Sequence, residues 1–259
     1  MTDNASVALH VAGRKVFFLY PPSVIQDDVL STLIRAGYEA YTLRDHTRAY
    51  QLLARFDGSI LFINIDQGLE EQQWEIYIRE VLNNPKTQSS RLGVLSYNSD
   101  PVMREKYQAD MGLPCGYVQL KLDIKASTGI LLNALETAGA RGRRRHIRAD
   151  CEDEGNAAIN IKKEGFSFTG QLVNISSAGA AARFDKPVAF EDNEKLTDVQ
   201  LRLWGTPIIV PQAAVMGICK GQSNVWVFLF ETGLRDEDKE TIHNFIRHCL
   251  HHYMENLEL

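Results

Sequence analysis

Between Ala138 and Gly142 the chain changes from one hydrophobic rhythm to another, and this change limits what each half can fold into. Before it, short apolar runs at Lys15–Tyr20, Tyr38–Leu43, Ser59–Ile65, Arg91–Ser96 and Gly116–Leu120 alternate with stretches of helical spacing. In the first such stretch Val24, Val29, Leu30, Leu33 and Ile34 lead up to Gly37; the others run over Thr47–Phe56, Glu70–Leu82, Pro101–Met111 and Asp123–Ala138. Parallel strands need a crossover between them, so five strand–helix units predict an α/β domain with a parallel sheet covered on both faces. After the change, runs at Ala157–Lys162, Phe166–Asn174, Ala180–Phe184, Lys195–Leu203, Pro207–Cys219 and Val225–Glu231 are separated only by turn signals such as Glu164-Gly165, Trp204-Gly205-Thr206-Pro207 and Lys220-Gly221-Gln222-Ser223-Asn224. Six short strands in succession predict a small antiparallel barrel, closed by a helix over Asp236–Met254. The small residues Ala138-Gly139-Ala140 mark the boundary, giving domains 1–140 and 141–259.

A chain of 259 residues is long enough for two such cores, and 44% hydrophobic with 24% charged residues is a globular composition. No apolar run approaches the roughly 20 residues of a membrane helix, and Met1–Ser6 lacks the order of a secretory leader, so a cytoplasmic protein without membrane insertion is expected. Cys115, Cys151, Cys219 and Cys249 are scattered and read as reduced thiols, not a zinc site or disulfide framework. No glycine-rich dinucleotide fingerprint, Walker lysine, H-E-x-x-H or G-x-S-x-G is present, so the chain is not expected to be an enzyme, nor to carry a cofactor or metal. The apolar stripe Ile242, Phe245, Ile246, Cys249, Leu250 and Tyr253 packs the last helix; His243, His248, His251 and His252 read as its solvated face, since no carboxylate or thiol clearly completes a metal site.

Two short motifs then carry chemistry. Arg141, Arg143, Arg144, Arg145 and Arg148 place five of the 28 Lys+Arg within eight residues of a chain whose net charge is −5. Such a run needs an anionic partner. Glu152-Asp153-Glu154 follows almost at once and the remainder is acidic, which argues against an extended nucleic-acid footprint. The second motif is the polar turn Asn174-Ile175-Ser176-Ser177-Ala178-Gly179, which taken alone is a plausible strand-end turn.

Arg144-x-x-x-Arg148, 25 intervening residues, then Asn174-x-Ser176-x-x-Gly179 within a six-stranded pattern resembles the PilZ domain, the bacterial receptor for cyclic di-GMP, over about residues 141–252. The resemblance implies cyclic di-GMP as the ligand, with Arg144 and Arg148 as the principal arginines and Arg143 and Arg145 as supporting phosphate contacts. It gives Asn174 and Ser176 the guanine edge, and Gly179 a sharp turn free of a Cβ. The residue types suit that ligand: an arginine fork meets the O6 and N7 acceptors of guanine with two parallel hydrogen bonds and can stack on the base.

The first half resembles the receiver domain of two-component response regulators, over roughly residues 14–138. Ser96 and Lys121 match that family's hydroxyl and lysine positions, whereas Pro21-Pro22 replace its metal-binding acids and Asn64 its phospho-acceptor, with Asp66 two residues on. A hard divalent ion needs carboxylates and an amide forms no acyl phosphate. Asp27-Asp28 are a second acidic pair, read as helix N-terminal charges, and Asp66 an off-register alternative acceptor. The implied function is a cyclic di-GMP receptor in motility or biofilm control, with a protein partner on a degenerate receiver-like module. Its rivals are a phosphorylation-dependent response regulator and a ligand-independent scaffold.

Overall fold

The computed structural model describes residues 13–259 except Val24, Asp153, Lys220, Ser223 and Thr232. The N-terminal Met1–Ser6, the middle of the acidic triplet, and parts of the first helix and of the turn before the last strand thus lie outside the described residues. Two compact units emerge. One runs up to Arg145 and includes Leu257–Leu259; the other is His146–Asn256.

In the first unit, β1 (Val16–Leu19), β2 (Ala40–Leu43), β3 (Ile60–Asn64), β4 (Arg91–Ser96) and β5 (Tyr117–Gln119) form one parallel sheet in the order β2-β1-β3-β4-β5. This is a doubly wound order, with the reversal beside β1. The central strands β1 and β3 are buried at every residue, as strands covered on both faces must be. Phe18 of β1 stacks on Phe62 of β3 at 5.5 Å, and Phe17 on Tyr41 of β2 at the same distance. The helices are α1 (Leu30–Arg35), α2 (His46–Arg55), α3 (Glu71–Asn83), α4 (Pro101–Glu105) and α5 (Ile124–Thr137). Asp45, Asp100 and Asp123 cap α2, α4 and α5, each accepting a hydrogen bond from a first-turn backbone N–H. Two helices depart from regular α geometry: Ile25–Val29 ahead of α1 and Lys106–Asp110 after α4 are wide π-type turns.

The second unit is a closed six-stranded antiparallel barrel. Its circuit is β8 (Phe166–Ser176), β7 (Ala157–Lys163), β10 (Lys195–Leu203), β11 (Thr206–Ile218), β12 (Val225–Phe230) and β9 (Gly179–Phe184), with β9 pairing back onto β8. Glu164-Gly165 and Trp204-Gly205 turn two of the hairpins, all four residues at positive φ of 51–82° as a two-residue I′ turn requires. Leu172, Ile175, Ile159, Leu201, Leu203, Val210 and Val215 are buried completely. The ring of Phe190 meets Trp226 edge-on at 5.1 Å and Phe228 at 5.7 Å.

A seventh segment, β6 (Ala149–Asp150), lies antiparallel beside β8. Its two residues carry no periodicity, and the sequence gives no sign of it. Helix α6 (Asp236–Asn256) packs on β6, β8 and β10 through Ile242, Phe245, Ile246, Cys249, Leu250 and Met254. Tyr253, expected in the stripe, is 45% exposed, and Met254 takes the buried place as the helix turns away from a strict repeat. At its start Arg235 grips the buried Asp238 carboxylate with two hydrogen bonds of 2.7 and 3.0 Å. Among the described residues no helix is long and apolar enough to cross a membrane.

Candidate ligand-binding site

A short strand pairing brings the chain just after Arg148 alongside the strand that carries Asn174 and Ser176. Ala149 pairs with Ile175 and Asp150 with Asn174, and the Cys151 amide donates to the Val173 carbonyl at 3.0 Å. Arg148 is the residue immediately before this pairing. The chain leaving the arginine run is therefore laid against the strand that carries the polar turn. Ile147 and Ala149 are buried, while Arg148 and Asp150 alternate outward.

Asn174 reaches this edge because of a β-bulge. Leu172 pairs with Ala182, but Asn174 pairs with Ala181, so Val173 is an extra residue. Leu172 and Ile175 both point into the core although they are three apart. Without the bulge Asn174 would share the inward parity of Leu172. With it, the amide is half-buried on the face of Asp150 and makes no hydrogen bond to any described residue. Arg148 likewise has no ion pair or hydrogen bond to a described residue. Asp150 accepts a hydrogen bond from the Glu152 amide at 3.1 Å, which occupies part of its carboxylate within the turn after β6.

Ser176, expected at the guanine edge, is bonded within the turn, and Gly179, expected to need no Cβ for a sharp turn, needs none for a different reason. The Ser176 hydroxyl is 7% exposed; it donates to the Gly179 carbonyl at 3.1 Å and accepts from the Ala178 amide at 3.3 Å. Gly179 does not have a positive φ. It is required by close approach, because a Cβ there would run into the carbonyl oxygen of Phe228 on β12.

Arg143, Arg144 and Arg145 are exposed and belong to the first unit, so the arginine run straddles the division of the chain. Arg141 is held differently. It donates to the Ala36 carbonyl at 2.9 Å and lies 5.0 Å over the Tyr38 ring, both within the first unit. One residue missing from the sequence-derived set is His146, whose Nδ1 lies 2.8 Å from Ser177 Oγ. Both occupy unspecified positions of their motifs, and only the fold shows the pairing.

Elsewhere, the histidines of α6 are less bare than the sequence implies. His252 Nδ1 lies 2.9 Å and His248 Nε2 3.6 Å from the Glu154 carboxylate, and the two imidazoles stack at 5.8 Å. Even so, no group of three His, Cys, Asp or Glu side chains among the described residues is arranged to hold a metal ion. In the first unit the exposed Asp66 accepts two hydrogen bonds: Ser96 Oγ donates to one carboxylate oxygen at 2.6 Å and the Tyr97 amide to the other at 2.8 Å. Asn64 is buried and donates to the Tyr20 carbonyl at 2.8 Å, Lys121 is exposed, and Asp27 and Asp28 face solvent.

No family model matches the sequence, and no curated protein matches it. Solved structures do show similarity. The PilZ domain of YcgR from Escherichia coli with c-di-GMP is 15% identical, matches 41% of this chain and 91% of its own, and has a TM-score of 0.34. The MrkH–c-di-GMP complex of K. pneumonia is 18% identical at a TM-score of 0.34 over 42% of this chain and 52% of that one, so the match spans about half of MrkH. The chemotaxis response regulator CheY4 of Vibrio cholerae is 20% identical at a TM-score of 0.38, over 48% of this chain and 99% of that one. By its own topology the chain joins a receiver-like α/β unit, ordered β2-β1-β3-β4-β5, to a PilZ-like closed barrel of six antiparallel strands with a terminal helix.

Proposed function

We propose that this chain is a non-enzymatic receptor for cyclic di-GMP. The observation that supports the reading is the β6–β8 pairing, in which Ala149 and Asp150, directly after Arg148, lie beside Ile175 and Asn174. The ligand needs arginine forks for its guanines and positive charge for its two phosphates, and an arginine and an amide that bond to no described side chain suit that combination. Arg144 adds the second fork, with Arg143 and Arg145 as phosphate contacts. Asn174 supplies the guanine edge, while Ser176 and Gly179 keep the turn in shape.

Because the run crosses the division between units, a ligand gripping Arg144 and Arg148 together alters the geometry of the chain between them. The α/β unit then serves as a phosphorylation-independent module that meets a protein partner, with an output in motility or biofilm control. Titration calorimetry of the full chain with cyclic di-GMP tests the reading. Heat saturating at a defined stoichiometry is expected; no heat at micromolar protein and ligand would overturn it. Small-angle scattering with and without ligand tests the geometric claim separately.

A further inference from the structure

We propose that His146 is a positioning residue for the ligand site, a latch that fastens the arginine linker to the polar turn before any ligand arrives. The inference rests on the receptor reading above for its effect on affinity, and on geometry alone for its effect on the linker. His146 stands at the middle of Arg144-x-x-x-Arg148, and Ser177 is the residue after the serine of Asn174-x-Ser176-x-x-Gly179. Their side chains meet at 2.8 Å. Three fastenings therefore follow one another along the chain: the His146–Ser177 bond, the buried side chain of Ile147, and the β6 pairing at Ala149 and Asp150.

The consequence lies in where order begins. Ile147 and Ala149 hold the backbone to the barrel, but neither sets the course of the residues ahead of them. His146 does, because it is the first residue of the barrel unit and its bond reaches the turn itself. With both ends of the Arg148 segment tied, the backbone that carries its guanidinium is largely ordered in advance. Ordering flexible segments is a principal cost of association, and a segment fixed beforehand binds more tightly for the same contacts. The bond is solvent-exposed, so its effect is that of a single ordinary hydrogen bond.

The test uses the full chain. H146A and S177A are each expected to weaken cyclic di-GMP binding about five-fold. The double variant should be no weaker than either single one, since both remove the same bond. H146N, whose amide can replace Nδ1 as donor or acceptor, should restore most of the affinity. In the absence of ligand, hydrogen–deuterium exchange over residues 146–151 should speed up in H146A and return towards wild type in H146N. Unchanged or tighter binding by H146A, with wild type binding normally, overturns the affinity claim; unchanged exchange overturns the latch. If wild type binds no cyclic di-GMP at all, the receptor reading fails, and the exchange experiment still decides the latch.

Discussion

Gly179 on β9 faces the carbonyl oxygen of Phe228 on β12 at a distance that leaves no room for a Cβ. The obstacle is backbone in a paired strand and cannot rotate aside. Gly179→Ala is expected to lower stability by more than about 2 kcal/mol, in the range of overpacking changes, as read by denaturant unfolding. Affinity lost in this variant follows from the barrel seam; a stable G179A protein would show that β9 can shift away from β12.

Arg148 and Arg141 should separate cleanly. On the proposed receptor reading, Arg148→Ala is expected to cost more than about 1.5 kcal/mol of cyclic di-GMP binding, the loss of a charge-assisted contact. Arg141→Ala loses its bond to the Ala36 carbonyl and its place over Tyr38, so it should leave affinity near wild type. Equal losses in the two titrations would mean that the run acts as diffuse charge.

Within the turn, Asn174 and Ser176 should fail in different ways. Ser176 is buried and bonded to the turn, so Ser176→Ala should cost about 1 kcal/mol of folding stability. Asn174 has no described partner to lose, so Asn174→Ala should keep the melting temperature and lose affinity instead. The comparison requires thermal unfolding and calorimetry on the same preparations.

Ser96 and the Tyr97 amide each hold one carboxylate oxygen of Asp66, and the amide Asn64 stands where a receiver's phospho-acceptor is expected. Incubation with a small phosphodonor and Mg²⁺ should give no phosphoryl adduct by intact mass. Asp66→Ala should destabilise the α/β unit, because the buried Ser96 hydroxyl loses the acceptor of its proton and keeps the bond from the Asn98 amide. An adduct mapped to Asp66 would restore the response-regulator reading.

His251 gives the barrel unit a pH dependence of known sign. Burial pushes its imidazole down from the ordinary value, opposed by its bond to the Arg247 carbonyl. The folded state therefore holds it neutral, while the unfolded chain takes up the proton near pH 6.5. The stabilisation is fully present above about pH 6.5 and is lost as pH falls from there through the depressed folded value. The difference in melting temperature between wild type and His251→Gln should change steadily as pH is lowered from 7.5 to 5. A difference independent of pH would sink the assignment.

Much of this architecture was legible in residue order. The alternation over Lys15–Ala138 and the run of short strands after Ala157 locate both folds, because periods of 2 and 3.6 survive in any single sequence. The Glu164-Gly165 and Trp204-Gly205 turns also stand where the glycines place them. What stayed hidden depends on pairing, not period. Two residues of β6 show no alternation, and Val173 fits a strand as readily in a bulge as out of one. The role of Gly179 is set by Phe228, 49 residues away in the chain, and the partner of His146 by the way the linker meets a turn 31 residues on.

The division of the chain after Arg145 bears on any attempt to dissect it. A fragment begun at His146, the natural start of the compact barrel, would keep Arg148, Asn174 and Ser176 and leave three candidate arginines on the discarded piece. If the receptor proposal holds, such a truncation folds yet loses much of the affinity for cyclic di-GMP. A fragment fit to test that proposal has to begin upstream of Arg143, and so carries residues that group with the α/β unit.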